Sequence, residues 1–234
     1  MLKISVIIPT LWDGKFLKGA VESAREDGVE VIVVKADVVG RSRVDGEVEL
    51  FEEVEALGAK VVTSLPGRGL QMDAGSEHAT GEVLLFLHVD ARLKRGWSKK
   101  VRSVMETEGA VGGAFTFTVN SKKREYRYLE RLVAFRVRKL GLIYGDQAIF
   151  VSSKVFFELG GYRGLPIMED VDLIKRLKPR GRFFILNDRV RVSPRRWDRL
   201  GIINTSFRNW AILFLYYIGV SPKSIYTLYY GKRL

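Results

Sequence analysis

Two short acidic stretches carry the residue types that could do chemistry in this chain. In Met168-Glu169-Asp170-Val171-Asp172, three carboxylates fall within four positions. Crowding by like charge and partial desolvation raise a carboxylate's pKa, and such a group can take a proton from an attacking hydroxyl. Acids also suit the first turn of a helix, so the spacing alone leaves Glu169, Asp170 and Asp172 all open as the base. In VLLFLHVD, His88 and Asp90 end a run of apolar residues. Alternation along a strand would point both side chains the same way, where an imidazole and a carboxylate could hold a divalent cation and the cation a diphosphate.

Three further clusters suit an anionic ligand. Gly67-Arg68-Gly69-Leu70-Gln71 combines glycines that let a backbone approach a ligand, a helix start that favours an anion, and the Arg68 charge. Pro9-Thr10 and Asp37 each lie just past a strand-like run, at an edge where a base and ribose could rest. In Arg195-Arg196-Trp197, two guanidiniums beside an indole suit an anion next to an apolar or sugar ring.

The elements that must position these residues follow from hydrophobic period. Residues 2–9, 29–34, 60–64 and 83–87 read as buried strands. Between them, 15–26, 47–57 and 70–78 read as amphipathic helices. Strand–helix alternation predicts a doubly wound, mostly parallel sheet, with ligands at the strands' carboxyl ends. After Asp90 the rhythm changes: helix 97–107, strand 110–119 with Gly112-Gly113 allowing close backbone approach, and a long basic helix 121–140. Strand 147–151, short helix 153–159, helix 170–177, strands 182–186 and 189–192, helix 204–218 and a Tyr- and Lys-rich tail complete the chain. No linker or repeat divides it. The expectation is one α/β domain with residues 1–90 as nucleotide-binding half, 91–200 as acceptor and catalytic half, and 201–234 as a C-terminal helical segment.

Composition narrows the function. The chain has 234 residues, 47% hydrophobic, with no cysteine, which excludes disulfides, zinc–thiolate sites and a thiol nucleophile. A formal charge of +12 favours anionic partners. Basic and aromatic residues are not interleaved as in a nucleic-acid motif, so nucleic acid is not expected. MLKISVIIPT runs straight into a strand without signal-peptide regions, which points to the cytoplasm. The basic face of 121–140 and the apolar run Trp210–Val220 would suit the inner face of a membrane, and with it a lipid-linked acceptor.

In this order, the clusters resemble the family 2 glycosyltransferases with the GT-A fold, a Rossmann-like mostly parallel sheet flanked by helices. The closest likeness is to a small subgroup with GRGLQMNAG, LFLHADT, YGDQ, LMEDVD and RRW motifs. Here they read GRGLQMDAG (Gly67–Gly75), LFLHVDA (Leu85–Ala91), YGDQ (Tyr144–Gln147), IMEDVD (Ile167–Asp172) and RRW. The resemblance implies inverting hexosyl transfer from a UDP- or GDP-linked sugar to an acceptor hydroxyl. It places Pro9, Thr10, Asp37, Gly67, Arg68 and Gln71 at the nucleotide, and Asp90 with His88 at a divalent metal, Mn²⁺ or Mg²⁺. Asp146, Gln147, Arg195, Arg196 and Trp197 fall on the acceptor or diphosphate side, Asp170 is the base, and Glu169 helps to position the acceptor. The chain departs from the family where His88 replaces the usual first Asp of DxD, and imidazole suits Mn²⁺ better than Mg²⁺. It departs again after the second strand, where Lys35-Ala36-Asp37 replaces a run of acids.

Two other classes fit parts of the pattern. A nucleotidyltransferase also uses a Gly/Arg loop and a carboxylate-held metal, and would release pyrophosphate instead of a nucleoside diphosphate. A non-catalytic anion- or membrane-surface-binding module would use the +12 charge and the basic helix alone.

Overall fold

The computed structural model describes residues 1–11, 14–38 and 46–231. Strands β1 (Ile4–Thr10), β2 (Val29–Ala36), β3 (Lys60–Ser64) and β4 (Val83–Phe86) lie parallel in the order β3-β2-β1-β4. Helices α1 (Gly14–Ala24), α2 (Glu47–Ala56) and α3 (Arg68–Glu77) connect them. Alternate side chains of these strands enter two different cores. Ile4, Val6 and Ile8 pack with Val83 and Leu85 against α1, while Ile7 packs with Leu84 and Phe86 against Met72 of α3. Both faces are therefore covered, which is why the strands read as unbroken apolar runs. Each such side chain contributes ~1.5–3 kcal/mol by leaving water.

The second half adds β5 (Ala91–Arg92), α4 (Trp97–Met105), β6 (Ala110–Val119), α5 (Arg124–Leu140) and β7 (Ile149–Ser152). It continues through α6 (Ser153–Glu158), α7 (Glu169–Leu177), β8 (Arg182–Val192), α8 (Arg195–Leu200), α9 (Ile202–Tyr217) and α10 (Pro222–Tyr230). Among the described residues the sheet has eight strands, ordered β3-β2-β1-β4-β7-β6-β8-β5. It is mostly parallel, as expected. β7 runs antiparallel to both β4 and β6, and β5 antiparallel to β8, so β6 and β8 run the same way as β1–β4. This mixture decides where the site forms. Parallel strands deliver their last residues to one edge, and the antiparallel strands β5 and β7 begin at that same edge.

Gly112 and Gly113 admit the close approach expected of them. A Cβ on Gly113 would stand 2.5 Å from the Phe184 carbonyl oxygen, inside the β6–β8 pairing. Several expectations change. The strand read at 83–87 ends at Phe86, and a turn closed by Ala91 N donating to His88 O (2.9 Å) follows. The strands read at 182–186 and 189–192 form one strand. Register passes from Phe115↔Leu186 to Thr116↔Arg189, so Asn187 and Asp188 bulge out without ending the pairing. Leu140, the last residue of α5, is exposed because the helix end projects beyond the core. The Tyr- and Lys-rich tail holds a helix of its own, α10, started by Ser221, whose Oγ accepts from Ser224 N (3.2 Å), with Pro222 in the first turn. The end of that tail, 232–234, lies outside the described residues. A third small core joins α10 and α9 to the start of α7 through Ile225, Tyr229, Leu213, Ile167, Met168 and Val171. Among the described residues no helix is long and apolar enough to cross a membrane.

Candidate active site

The carboxyl edge brings four separate loops to one cleft. The turn after β4 carries His88 and Asp90, the turn before β7 carries Tyr144 and Asp146, the residues after β8 carry Ser193 and Arg196, and the first turn of α7 carries Asp170. Arg68, the first residue of α3, lines the same cleft. Asn209 and Ile212 of α9 with Tyr229 and Tyr230 of α10 form the remaining wall. The cleft is open to solvent.

Asp170 is 7% exposed. Its Oδ2 accepts from Gly145 N (2.6 Å) and its Oδ1 from Val171 N (2.8 Å), which fix the carboxylate while leaving each oxygen a further lone pair. Gly145 is where these elements come closest. A Cβ there would stand 2.8 Å from His88 Nε2 and 3.3 Å from Asp170 Oδ2. A side chain there would push the imidazole and the carboxylate apart. His88 Nε2 and Asp146 Oδ1 are buried, and neither has a hydrogen-bond partner. Burial, then the Arg68 and Arg196 charges, hold the His88 imidazole neutral, well below its ordinary pKa. Burial pushes Asp146 up, with Asp170 adding to the shift and Arg136, Arg196 and Arg68 opposing it.

Other expected residues support the site from behind. Glu169, expected to position the acceptor, is 2% exposed; its Oε1 accepts from Arg68 Nε and ties α7 to α3. Burial raises the Glu169 carboxyl, against the pull of Arg68. Asp172 pairs with Arg176 (2.7 Å) one helical turn on. Gln71 is buried, and its Nε2 donates to Thr10 O and Val34 O, both at 2.8 Å. It spans the ends of β1 and β2 instead of facing the cleft, because those strand-end carbonyls need donors. Gln147 is buried likewise; its Nε2 donates to Phe115 O (3.1 Å) and its Oε1 accepts from Tyr144 N and Arg136 Nη2, both at 3.4 Å. It locks the turn that presents Asp146. Arg195 Nε donates to Asp90 Oδ2 (3.2 Å) and its guanidinium lies 4.5 Å from the Phe16 ring centroid. Trp197 is mostly buried against Phe117 and Tyr126, with one edge at the cleft. Thr10, Asp37 and the helix-capping Gly67 lie along the same edge on the β1–β3 side, outside this cleft, with Pro9 one position inside β1.

Sequence reasoning missed Arg136. It is buried, stacks on the Tyr144 ring (3.6 Å) and donates through Nε to Leu142 O (3.1 Å). A signal was present: Arg136 falls three positions after Val133 and seven after Leu129, on the apolar face of α5. Backbone strain marks the same region. Among the described residues, non-glycine positive φ occurs at Ala148 (48°) and Met168 (66°), directly after Gln147 and directly before Glu169.

As for a metal, no three His, Cys, Asp or Glu side chains among the described residues are grouped to hold one. The unpartnered His88 Nε2 and the Asp90 carboxylate in one cleft nevertheless suit a cation completed by diphosphate oxygens and water.

A sheet of this topology, with acids and arginines gathered at its carboxyl edge, defines a GT-A type α/β domain. The profile of glycosyl transferase family 2 matches residues 5–166, more than half of the 234, and the chain belongs to that family. Its fold is similar to the crystal structure of S. aureus TarS 1–349 in complex with UDP-GlcNAc, with TM-score 0.62 and 15% identity over 82% of this chain and 58% of that one. A longer S. aureus TarS structure gives TM-score 0.63 and 15% identity over 98% of this chain and 43% of that one. GalNAc-T7 with UDP, GalNAc and Mn²⁺ gives TM-score 0.61 and 15% identity over 82% of this chain and 44% of that one. The chain thus spans about half the length of these proteins. No curated protein sequence matches it.

Proposed function

We propose that this protein transfers a hexosyl group from a UDP- or GDP-linked sugar to an acceptor hydroxyl, with inversion. The observation that carries the reading is the meeting of Asp170, Asp146, His88, Asp90, Arg68 and Arg196 in one cleft of a family 2 chain. Asp170, held by two backbone N–H groups, takes the acceptor proton as the acceptor oxygen bonds to the anomeric carbon. The bond from that carbon to the diphosphate breaks, and its electron pair leaves with the diphosphate. Arg68 and Arg196 stabilise that growing charge. Glu169 keeps Arg68 in place, and Arg136 with Gln147 keeps the Gly145–Asp146 turn in place. Asp90 and His88 would hold a divalent cation, Mn²⁺ or Mg²⁺, together with the donor; when bound it supplies further positive charge at the diphosphate. The base and ribose extend along the edge past Thr10 and Asp37.

One observation favours a second assignment of the base. Asp146 has a buried oxygen with no partner, and burial raises its affinity for a proton. Incubating the protein with UDP- and GDP-sugars and Mn²⁺ tests the reaction class. Release of a nucleoside diphosphate is expected; release of a nucleoside monophosphate, or no turnover and no nucleotide-dependent rise in Tm, would remove it.

A further inference from the structure

Helix α9 is built the wrong way round for a surface helix. Ile203, Phe207, Trp210, Phe214 and Tyr217, spaced four, three, four and three apart, form one stripe, and all are exposed. Ile203 is 84%, Phe207 75% and Phe214 64% accessible. The opposite side of the helix is already used: Leu213 is buried, and Ile212, Leu215 and Tyr216 pack into the C-terminal core. On α5, Tyr128, Leu132 and Phe135 are exposed with the same spacing. Leu132 and Trp210 line one groove, so the two stripes are continuous. A connected, exposed apolar surface marks an interaction site.

The charge around the stripes identifies the occupant. From Arg199 to Leu234 the sequence has no Asp or Glu, and none occurs from Arg131 to Leu140. Arg131, Arg138 and Lys139 on α5 and Lys223 on α10 are exposed. A second copy placed on this face would set cations against cations. A bilayer containing anionic lipid offers acyl chains to the stripes and phosphate to the cations, and aromatic side chains favour that boundary. At 16 residues, α9 is about 24 Å long, and no described helix suits crossing the membrane. We propose that the α5–α9 face seats on an anionic bilayer, with α9 lying in the membrane plane. Tyr144, Asp146, Trp197 and Asn209 line both the cleft and the groove that holds Leu132 and Trp210, so the cleft adjoins the seated face. The acceptor hydroxyl is then one carried by a lipid; this last step rests on the proposed function, while the seating does not.

Flotation of the full chain with vesicles decides. The protein is expected to float with mixed phosphatidylcholine–phosphatidylglycerol vesicles at low salt, less at high salt, and weakly with phosphatidylcholine alone. Phe207→Glu with Phe214→Glu, exposed positions outside the cleft, is expected to keep the melting temperature and lose partitioning by about tenfold or more, through lost apolar insertion. Wild-type protein that stays off anionic vesicles at low salt, or a double variant that floats like wild type, overturns the proposal. So does a wild-type dimer that the double variant splits in the absence of lipid. Nucleoside diphosphate binding is measured on the same samples. Its loss would count against the proposed function and leave the seating intact; flotation failing while nucleotide still binds would do the reverse.

Discussion

Gly145→Ala probes the tightest point of the site with one added carbon. Gly145 lies outside the left-handed region, so alanine meets no backbone strain there. The whole effect is steric. The new Cβ would stand 2.8 Å from His88 Nε2 and 3.3 Å from Asp170 Oδ2. Ordinary contacts lie near ~3.5 Å, so the imidazole must retreat by roughly 0.7 Å and the carboxylate by less. Overpacking of this kind costs about 1–3 kcal/mol, or roughly 2–12 °C in Tm for a chain of this size. The Gly145 N–H that holds Asp170 at 2.6 Å shifts with it. A misplacement of about 1 Å can cost ~10²-fold in rate, so kcat should fall by roughly 10–100-fold. Nucleoside diphosphate affinity should stay within about threefold, since Arg68 and Arg196 are untouched and each tenfold is ~1.4 kcal/mol. Thermal melts, diphosphate release and calorimetry read the three quantities. Adding His88→Ala should restore the Tm lost to Gly145→Ala, a non-additivity that only contact between the two positions produces. Wild-type kcat and Tm in Gly145→Ala would refute the packing argument.

Two further outcomes concern supporting residues. Burial pushes the Asp73 carboxyl up to about 6, with its bond from Tyr162 N (2.8 Å) opposing the shift. The unfolded chain therefore ionises this group first, and stability falls as pH rises from ~4 to ~6 and stays lower above that. Asp73→Asn keeps an oxygen for Tyr162 N, and urea melts should show it more stable at pH 7 by about 1–3 kcal/mol but unchanged below pH 4; equal stability at both pH values would remove the effect. Arg68→Ala should weaken nucleoside diphosphate binding by ~1.5–3 kcal/mol in calorimetry, the worth of a charge-assisted hydrogen bond. The orphaned Glu169, already raised by burial, then takes up a proton, and unchanged affinity would take Arg68 out of the site.

How much of this was legible in the sequence depends on how local each signal is. The runs that became β1–β4 and the stripes of α1 and α5 were readable because burial on a strand or helix face sets a short period. The direction of β7 was not, since pairing with β4 and β6 is decided by residues 37 to 69 positions away. That direction is what brings Asp146 to the edge where His88 follows β4. His88 and Asp90 do share the cleft, though through a turn closed at 2.9 Å and not through strand alternation. The partners of polar residues were the least legible. Gln71, Gln147 and Glu169 sit in ligand-like motifs, yet each spends its hydrogen bonds on the protein, and Glu169 finds Arg68 across 101 positions. A buried polar side chain must be paired, and no local pattern says with what. The Ser221-Pro222 start of α10 was a local signal of the kind that caps a helix, and it was there to be read.

The central claim is that Asp170 takes the acceptor proton in this cleft. Asp170→Asn and Asp146→Asn, compared at saturating donor, test it most directly. Each keeps shape and removes a charge. Calorimetry with the nucleoside diphosphate first establishes that donor-side binding survives in both. Asp170→Asn is then expected to lower kcat by ~10²–10⁴, the range for a lost general base, with Asp146→Asn losing far less. Near-wild-type turnover in Asp170→Asn beside a collapse in Asp146→Asn would contradict the account and move the base to Asp146.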